Sequence, residues 1–237
     1  MSFFQDVINI VAKYYPQLLS GVGNTMLIAL TGTVAGLAIG LLTGIVRTAP
    51  FSRNGFVRVL HKILNAVIAV YVEIFRGTPM MVQAMVIYWG YAFASGGNTL
   101  PLIPSGILIV SVNTGAYMAE IVRGGLNGVS KGQFEAGYAQ GFNTVEVLLY
   151  IVLPQAYRNI VPTLLSQVIT TIKDSSYLAN VATIELMARI RQLLSAAGTY
   201  NGLGTVNVSD VMVLFGAACV IYFVINFTLS CVVRSMQ

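Results

Sequence analysis

Long uncharged stretches alternate with short polar ones along the chain. Tyr14 to Val46, Gly77 to Ala119 and Val211 to Val233 each run without an Asp, Glu, Lys or Arg, and each reaches the roughly 20 residues that cross a hydrocarbon core. No alternating ten-residue pattern of a membrane barrel is present, so helices are expected to carry the spans. At the N-terminus, Phe4, Val7, Ile8, Val11, Tyr14 and Tyr15 recur at helical spacing opposite Gln5, Asp6, Asn9 and Lys13, which predicts a short helix lying on the outer membrane surface. A first span over about 18–46 follows. Within it, Gly32, Gly36, Gly40 and Gly44 repeat every fourth residue, a smooth ridge that suits close helix packing inside the subunit or against a second copy.

Residues 47–62 read as a cytoplasmic loop. Ile63 to Phe75 and Met80 to Ala94 are both apolar but are separated by Arg76-Gly77-Thr78-Pro79. The loop at 47–62 and the polar segment near residue 135 both belong inside, and 105–122 is one clear span. Residues 63–94 are therefore expected to make a single crossing, broken near 76–79 by Pro79. A span over 160–183, an external amphipathic helix over 185–198 with Glu185 and Arg189 spaced as an i,i+4 pair, and a last span over 211–233 complete the series. The prediction is an all-α integral membrane protein, one domain over 1–237, with five crossings, the N-terminus outside and the C-terminus in the cytoplasm.

Composition supports this reading. Hydrophobic residues are 56% of the chain and charged ones 9%, too little polar surface for a water-soluble domain. The net charge of +5 is spread by topology rather than gathered for nucleic acid. Arg47, Arg53, Arg58, Lys62, Arg123, Lys131, Arg158 and Arg234 fall on the inner side, Lys13, Arg189 and Arg191 on the outer, as the positive-inside rule requires. Arg76 and Lys173 remain at membrane depth. Cys219 and Cys231, twelve residues apart on one expected helix, cannot meet and are expected to be buried as apolar residues. No cleavable signal pattern opens the chain, so targeting is expected to be internal to the first span.

The polar segment carries the most specific pattern. Gln133 to Gln140 forms a helical turn or two, Gly141 can take the left-handed conformation that ends it, and Asn143 or Thr144 can cap the next helix. Glu135-Ala136-Gly137, then Gly141, then Ile151-x-Leu153-Pro154 resembles the EAA loop of ABC-importer permeases. Further strings follow in order: Phe75-Arg-Gly-Thr-Pro79, Asn113-Thr-Gly-Ala-Tyr-Met-Ala-Glu-Ile121 with Arg123-Gly-Gly125, and Lys173-Asp-Ser-Ser176. Together they resemble the polar amino acid uptake permeases, the histidine, glutamate, glutamine, arginine and cystine group, over roughly residues 18 to 234. Gly137 stands where that family usually has a second Ala, and Ser175 where it often has Thr.

The resemblance implies a five-helix, type I, MetI-like permease fold in a bacterial cell (inner) membrane. It also implies a cytoplasmic coupling loop, 124–158, that docks on a partner ATPase through Glu135, Ala136, Gly137, Gly141, Ile151, Leu153 and Pro154. Implied partners are two ATPase subunits, a second permease copy or paralogue, an extracellular or periplasmic binding protein, membrane lipid and a polar amino acid. No G-x-x-x-x-G-K-[ST] loop is present, so ATP and Mg are expected on the partner, and no catalytic residue, metal or cofactor is expected on this chain.

Polar groups at membrane depth are candidates for the translocation path, because ionisable residues there tend to face a wet cavity or a bundle interior. They are Glu73, Arg76, Thr78, Asn113, Thr114, Tyr117, Lys173, Asp174 and Ser175. Glu73 and Arg76 share a helical face and are expected to pair with each other or across the bundle. Asn113, Thr114 and Tyr117 offer uncharged hydrogen-bonding groups to a zwitterion, or hold helices together. Lys173 and Asp174 point about 100° apart; they line the path, brace a neighbour, or respectively snorkel and cap a broken turn. Glu120 and Arg123 read as a structural pair, and His61 as a solvated or lipid-facing residue. The alternative function is an ion-coupled secondary transporter or channel for a small polar solute.

Overall fold

The computed structural model describes residues 3–49, 54–181, 183–200 and 208–235. Arg53 lies outside them, as do the side chains of Phe4 and Asp6. Every regular element among the described residues is helical: α1 Phe3–Thr48, α2 Gly55–Gly77, α3 Met80–Ala94, α4 Leu102–Asn127, α5 Lys131–Ala139, α6 Thr144–Glu146, a π-helical turn Val147–Val152, α7 Leu153–Asp174, a 3-10 segment Ser175–Val181, α8 Leu186–Tyr200 and α9 Val208–Ser235. Four of these are long and apolar enough to cross a membrane: Val7–Thr48 within α1, then α2, α4 and α9. The 22 residues of α7 reach about 33 Å at 1.5 Å each, enough to cross, but Gln155, Arg158, Asn159, Gln167, Lys173 and Asp174 lower their hydropathy.

Several expected boundaries are corrected. The N-terminal surface helix is not separate: α1 is one helix of 46 residues that runs through Pro16, and Ile8 and Tyr15 of its expected apolar face are 61% and 60% exposed. Tyr14 of that face does pack, together with Ile10, Leu18 and Val22, four apart and so stacked along one side. The basic loop is shorter than 47–62, because α2 starts at Gly55, where the Asn54 side chain accepts from the Phe56 N–H at 3.1 Å. Arg58, His61 and Lys62 therefore ride on a helix, and α2 alone is long enough to cross. The break falls at Thr78, which is extended because the ring of Pro79 disfavours helix in the residue before it.

The chain divides into two compact units. One comprises Met1–Gly32, Met80–Val110 and Ile169–Val232. Its core holds Ile28 of α1, Met80, Ala84 and Tyr88 of α3, Ile109 and Val110 of α4, and Leu178 and Val181 of the 3-10 segment. A second cluster joins Leu18 of α1 to Leu186 and Ile190 of α8 and to Leu214 and Ala218 of α9.

The other unit comprises Thr33–Pro79, Ser111–Val168 and Val233–Gln237. Here the glycine ridge packs internally. A Cβ built on Gly36 would lie 3.1 Å from the Gly115 nitrogen, one on Gly40 2.5 Å from Met118 Cβ, and one on Gly44 2.8 Å from Val122 Cβ. The ridge thus brings the backbones of α1 and α4 together, as small residues do in membrane bundles. Val122, Leu126 and Val129 at the end of α4 pack with Val147, Val152, Ala156 and Ile160.

Candidate functional site

Between α5 and α6 only four residues turn the chain, and each is assigned by local chemistry. Gly141 has φ +88°, the left-handed region that favours glycine. The Phe142 N–H bonds to the Gly137 carbonyl at 3.2 Å and the Gly141 N–H to the Tyr138 carbonyl at 3.0 Å. That is the paired pattern of a Schellman C-cap. Asn143 then caps α6. Its Oδ1 accepts from Val145 and Glu146 N–H at 2.9 and 3.0 Å, while Glu146 Oε2 accepts from Asn143 N–H at 2.8 Å, a complete capping box. A helix stop abutting a helix start leaves the turn little freedom.

The knob so formed is apolar outside as well as inside. Tyr138 is 47%, Val145 62% and Tyr150 70% exposed. Phe142 packs at 6.5 Å from the Tyr150 ring. Of the sequence candidates, Glu135, Ala136, Gly141 and Pro154 are exposed, Ile151 and Leu153 are half-buried, and Gly137 is buried. A Cβ on Gly137 would lie 2.7 Å from Ile151 Cδ1 and 2.8 Å from Val147 Cγ2. The departure from Ala at this position therefore has a packing reason: α5 sits against the π turn with no room for a methyl. The exposed aromatic residues were not among the sequence candidates; Tyr138 stands on α5 and Tyr150 in the π turn, and only the folded turn brings Phe142 against the Tyr150 ring.

The membrane-depth candidates fall in both units. In one, Arg76 lies over the Tyr117 ring at 5.9 Å, a cation–π contact, while Glu73 is exposed. The expected Glu73–Arg76 pair does not form; the ion pairs among the described residues are Arg47–Glu120 at 3.0 Å and Arg123–Glu120. Glu120 and Arg123 do pair, as their spacing predicts, and Arg47 reaches the same carboxylate from α1. Asn113 and Thr114 are 4% and 2% exposed, and exposed Thr78 donates its hydroxyl to the Ile74 carbonyl at 2.7 Å. His61 is not simply solvated: its Nε2 lies 2.9 Å from the Val46 carbonyl.

In the other unit, α7 gives way to 3-10 geometry at Ser175, which is buried and bonds to the Ile172 carbonyl at 2.8 Å. Lys173 is exposed and Asp174 half-buried. Lys173 borders an open cleft of about 360 Å³ whose walls are Ser176, Met187, Phe215, Ala218, Cys219 and Tyr222. Cys219 and Cys231 are both exposed, contrary to the expected burial, because α9 turns a large apolar face outward.

Glu185 was read as a partner of Arg189 and is not one. It is fully buried and accepts from the Met187 and Ala188 N–H groups at 2.9 and 2.6 Å and from the Tyr222 hydroxyl at 3.2 Å. It thus caps the start of α8. Burial pushes its carboxyl up to about 7 against the opposing pull of these donors and of Arg191.

Among the described residues every regular element is helical, and α5 and α6 form a tightly capped helix-turn-helix. The chain belongs to the family described as binding-protein-dependent transport system inner membrane component, which matches residues 54–236. It is 33% identical over 222 residues to the glutamine transport system permease protein GlnP of Escherichia coli, covering 94% of this chain and 92% of that one. It is 32% identical over 220 residues to the L-cystine transport system permease protein TcyB of Bacillus subtilis, covering 93% and 85%. Among solved structures, an amino acid ABC transporter crystallised with histidines superposes with a TM-score of 0.78 at 25% identity, over 100% of this chain and 97% of that one. The inward-facing MetNI methionine ABC transporter shares the fold, with a TM-score of 0.67 at 19% identity over 95% and 98%.

Proposed function

We propose that this permease subunit imports a polar amino acid, powered by ATPase subunits that dock on the α5–α6 knob. The knob carries the proposal: a turn fixed by two back-to-back caps, displaying Tyr138, Val145 and Tyr150 to the outside beside Glu135. Exposed aromatic residues on a rigid support are what a protein interface uses as anchors. The glutamine and cystine permeases among its relatives support the cargo class. ATP and Mg belong to the ATPase, a binding protein delivers cargo from outside, and a second copy or paralogue completes the membrane pathway. In this reading α7 crosses as the fourth of five spans, with the N-terminus outside and the C-terminus in the cytoplasm.

The cleft beside Lys173 has room for an amino acid, and an exposed ammonium suits its carboxylate. Uptake into vesicles holding the permease, its ATPase and binding protein tests the proposal. Uptake should require ATP inside, and Glu135→Lys or Gly141→Val should uncouple it while the chain still inserts. Uptake driven by an ion gradient without the ATPase refutes the reading. Lys173→Met and Asp174→Asn, normalised to membrane abundance, separate two roles: altered selectivity marks cargo contact, and lost coupling with selectivity kept marks bracing. Wild-type rate and selectivity in both removes either role.

A further inference from the structure

The knob joins the membrane helix through a turn of unusual width. Val147–Val152 is π-helical between α6 and α7, so Thr144 to Asp174 is one helical rod with one extra residue in a single turn. In π geometry the backbone bonds join residues five apart, which then share a side, as residues four apart do in an α-helix. Val147 and Val152, five apart, are both fully buried, and the buried positions continue by fours at Ala156 and Ile160. A regular α-helix would turn Val147 about 140° away from Val152. The wide turn is therefore what lets one rod serve the knob and the first turns of α7 at once.

Gly137 meets this turn directly, against Val147 Cγ2 and Ile151 Cδ1. The isoleucine atom is the end of a flexible chain and can move aside. Val147 is β-branched and held to one rotamer in a helix, so it is the stiff side of the contact. A π turn within an α-helix marks a place where backbone bonding can be re-paired, and such turns cluster at functional sites.

We propose that the π turn Val147–Val152 is the joint about which the knob moves against the start of α7 during transport, with Gly137 and Val147 as the positioning pair on which it turns. The proposal rests on the knob being the ATPase-docking element. Deleting Leu149, which is half-exposed, sets the two buried valines four apart. A plain α-helix then keeps both on one face, and the rod folds without its joint. The test uses the complete transporter in vesicles, with labelled glutamine and cystine as probes, and measures ATPase capture, ATP hydrolysed and amino acid taken up.

The Leu149 deletion should capture the ATPase as the wild type does but take up about tenfold less amino acid per ATP. Gly137→Ala should lower uptake per ATP by about threefold, and adding Val147→Ala should restore it, because the new methyl enters the space the valine leaves. Wild-type uptake per ATP in the deletion overturns the joint. Loss of ATPase capture in the deletion alone also overturns it and leaves the docking reading standing; a wild-type chain that captures no ATPase sinks the docking reading itself. If the deletion fails to insert, the Gly137/Val147 pair decides, and absence of rescue counts against the proposal.

Discussion

Gly40→Ala is the sharpest test of how α1 and α4 are held together. The added Cβ would lie 2.5 Å from Met118 Cβ, 2.9 Å from the Ala119 nitrogen and 2.9 Å from the Met118 carbonyl carbon. Two of those three atoms are backbone and cannot swing aside. Carbon atoms rest about 3.5 to 4 Å apart, so α1 must withdraw by roughly 1 Å at this level. A gap of that size forfeits a quarter to a half of each neighbouring contact's attraction, and overpacking of this kind costs about 1 to 3 kcal/mol. Alanine's better helix propensity returns at most about 1 kcal/mol. The control is Gly23→Ala, whose Cβ meets nothing within 4 Å and should be neutral or mildly stabilising. Thermal unfolding of the purified subunit in one detergent, followed by near-ultraviolet circular dichroism, measures both. Gly40→Ala as stable as Gly23→Ala would refute the close approach.

Stability should also depend on pH through Glu185. Its folded value near 7 lies above its ordinary 4.5, so the folded state holds the extra proton between them. The stabilisation is complete below about 4.5 and is lost as pH rises through about 7, on the order of 3 kcal/mol in all. Glu185→Gln should flatten that slope in melts taken from pH 5 to 8, and an unchanged slope contradicts it. Asn143→Ala removes two hydrogen bonds of the capping box and should cost about 1 kcal/mol, read as faster hydrogen exchange confined to α6 and the π turn. Glu120→Gln leaves Arg47 and Arg123 facing each other. At a partly exposed site the loss should be about 1 kcal/mol and should shrink at high salt; a salt-independent effect argues against an electrostatic origin.

Period and punctuation in the sequence determined much of this protein. Uncharged stretches longer than a bilayer dictate helices, because no other open backbone satisfies its own hydrogen bonds in lipid. Gly141, Asn143 and Pro79 act through their own backbone limits, so the turn of the knob and the break after α2 are readable without tertiary structure. Glu120 and Arg123 pair for the same reason, being neighbours on one helix.

What only the tertiary structure decided involves partners distant in the chain. Spacing offers Arg189 to Glu185, but burial against Tyr222 and the start of α8 makes capping the stronger use of that carboxylate. Spacing likewise offers Arg76 to Glu73, but the guanidinium instead reaches the Tyr117 ring. Periodicity expected α1 to divide near its N-terminus, but the stripe of Ile10, Tyr14, Leu18 and Val22 packs with α8 and α9, and that burial carries the helix through Pro16. The π turn was illegible because a repeat of four and a repeat of five differ by one residue, and only the core with the end of α4, which Val147, Val152, Ala156 and Ile160 must all face, chooses between them.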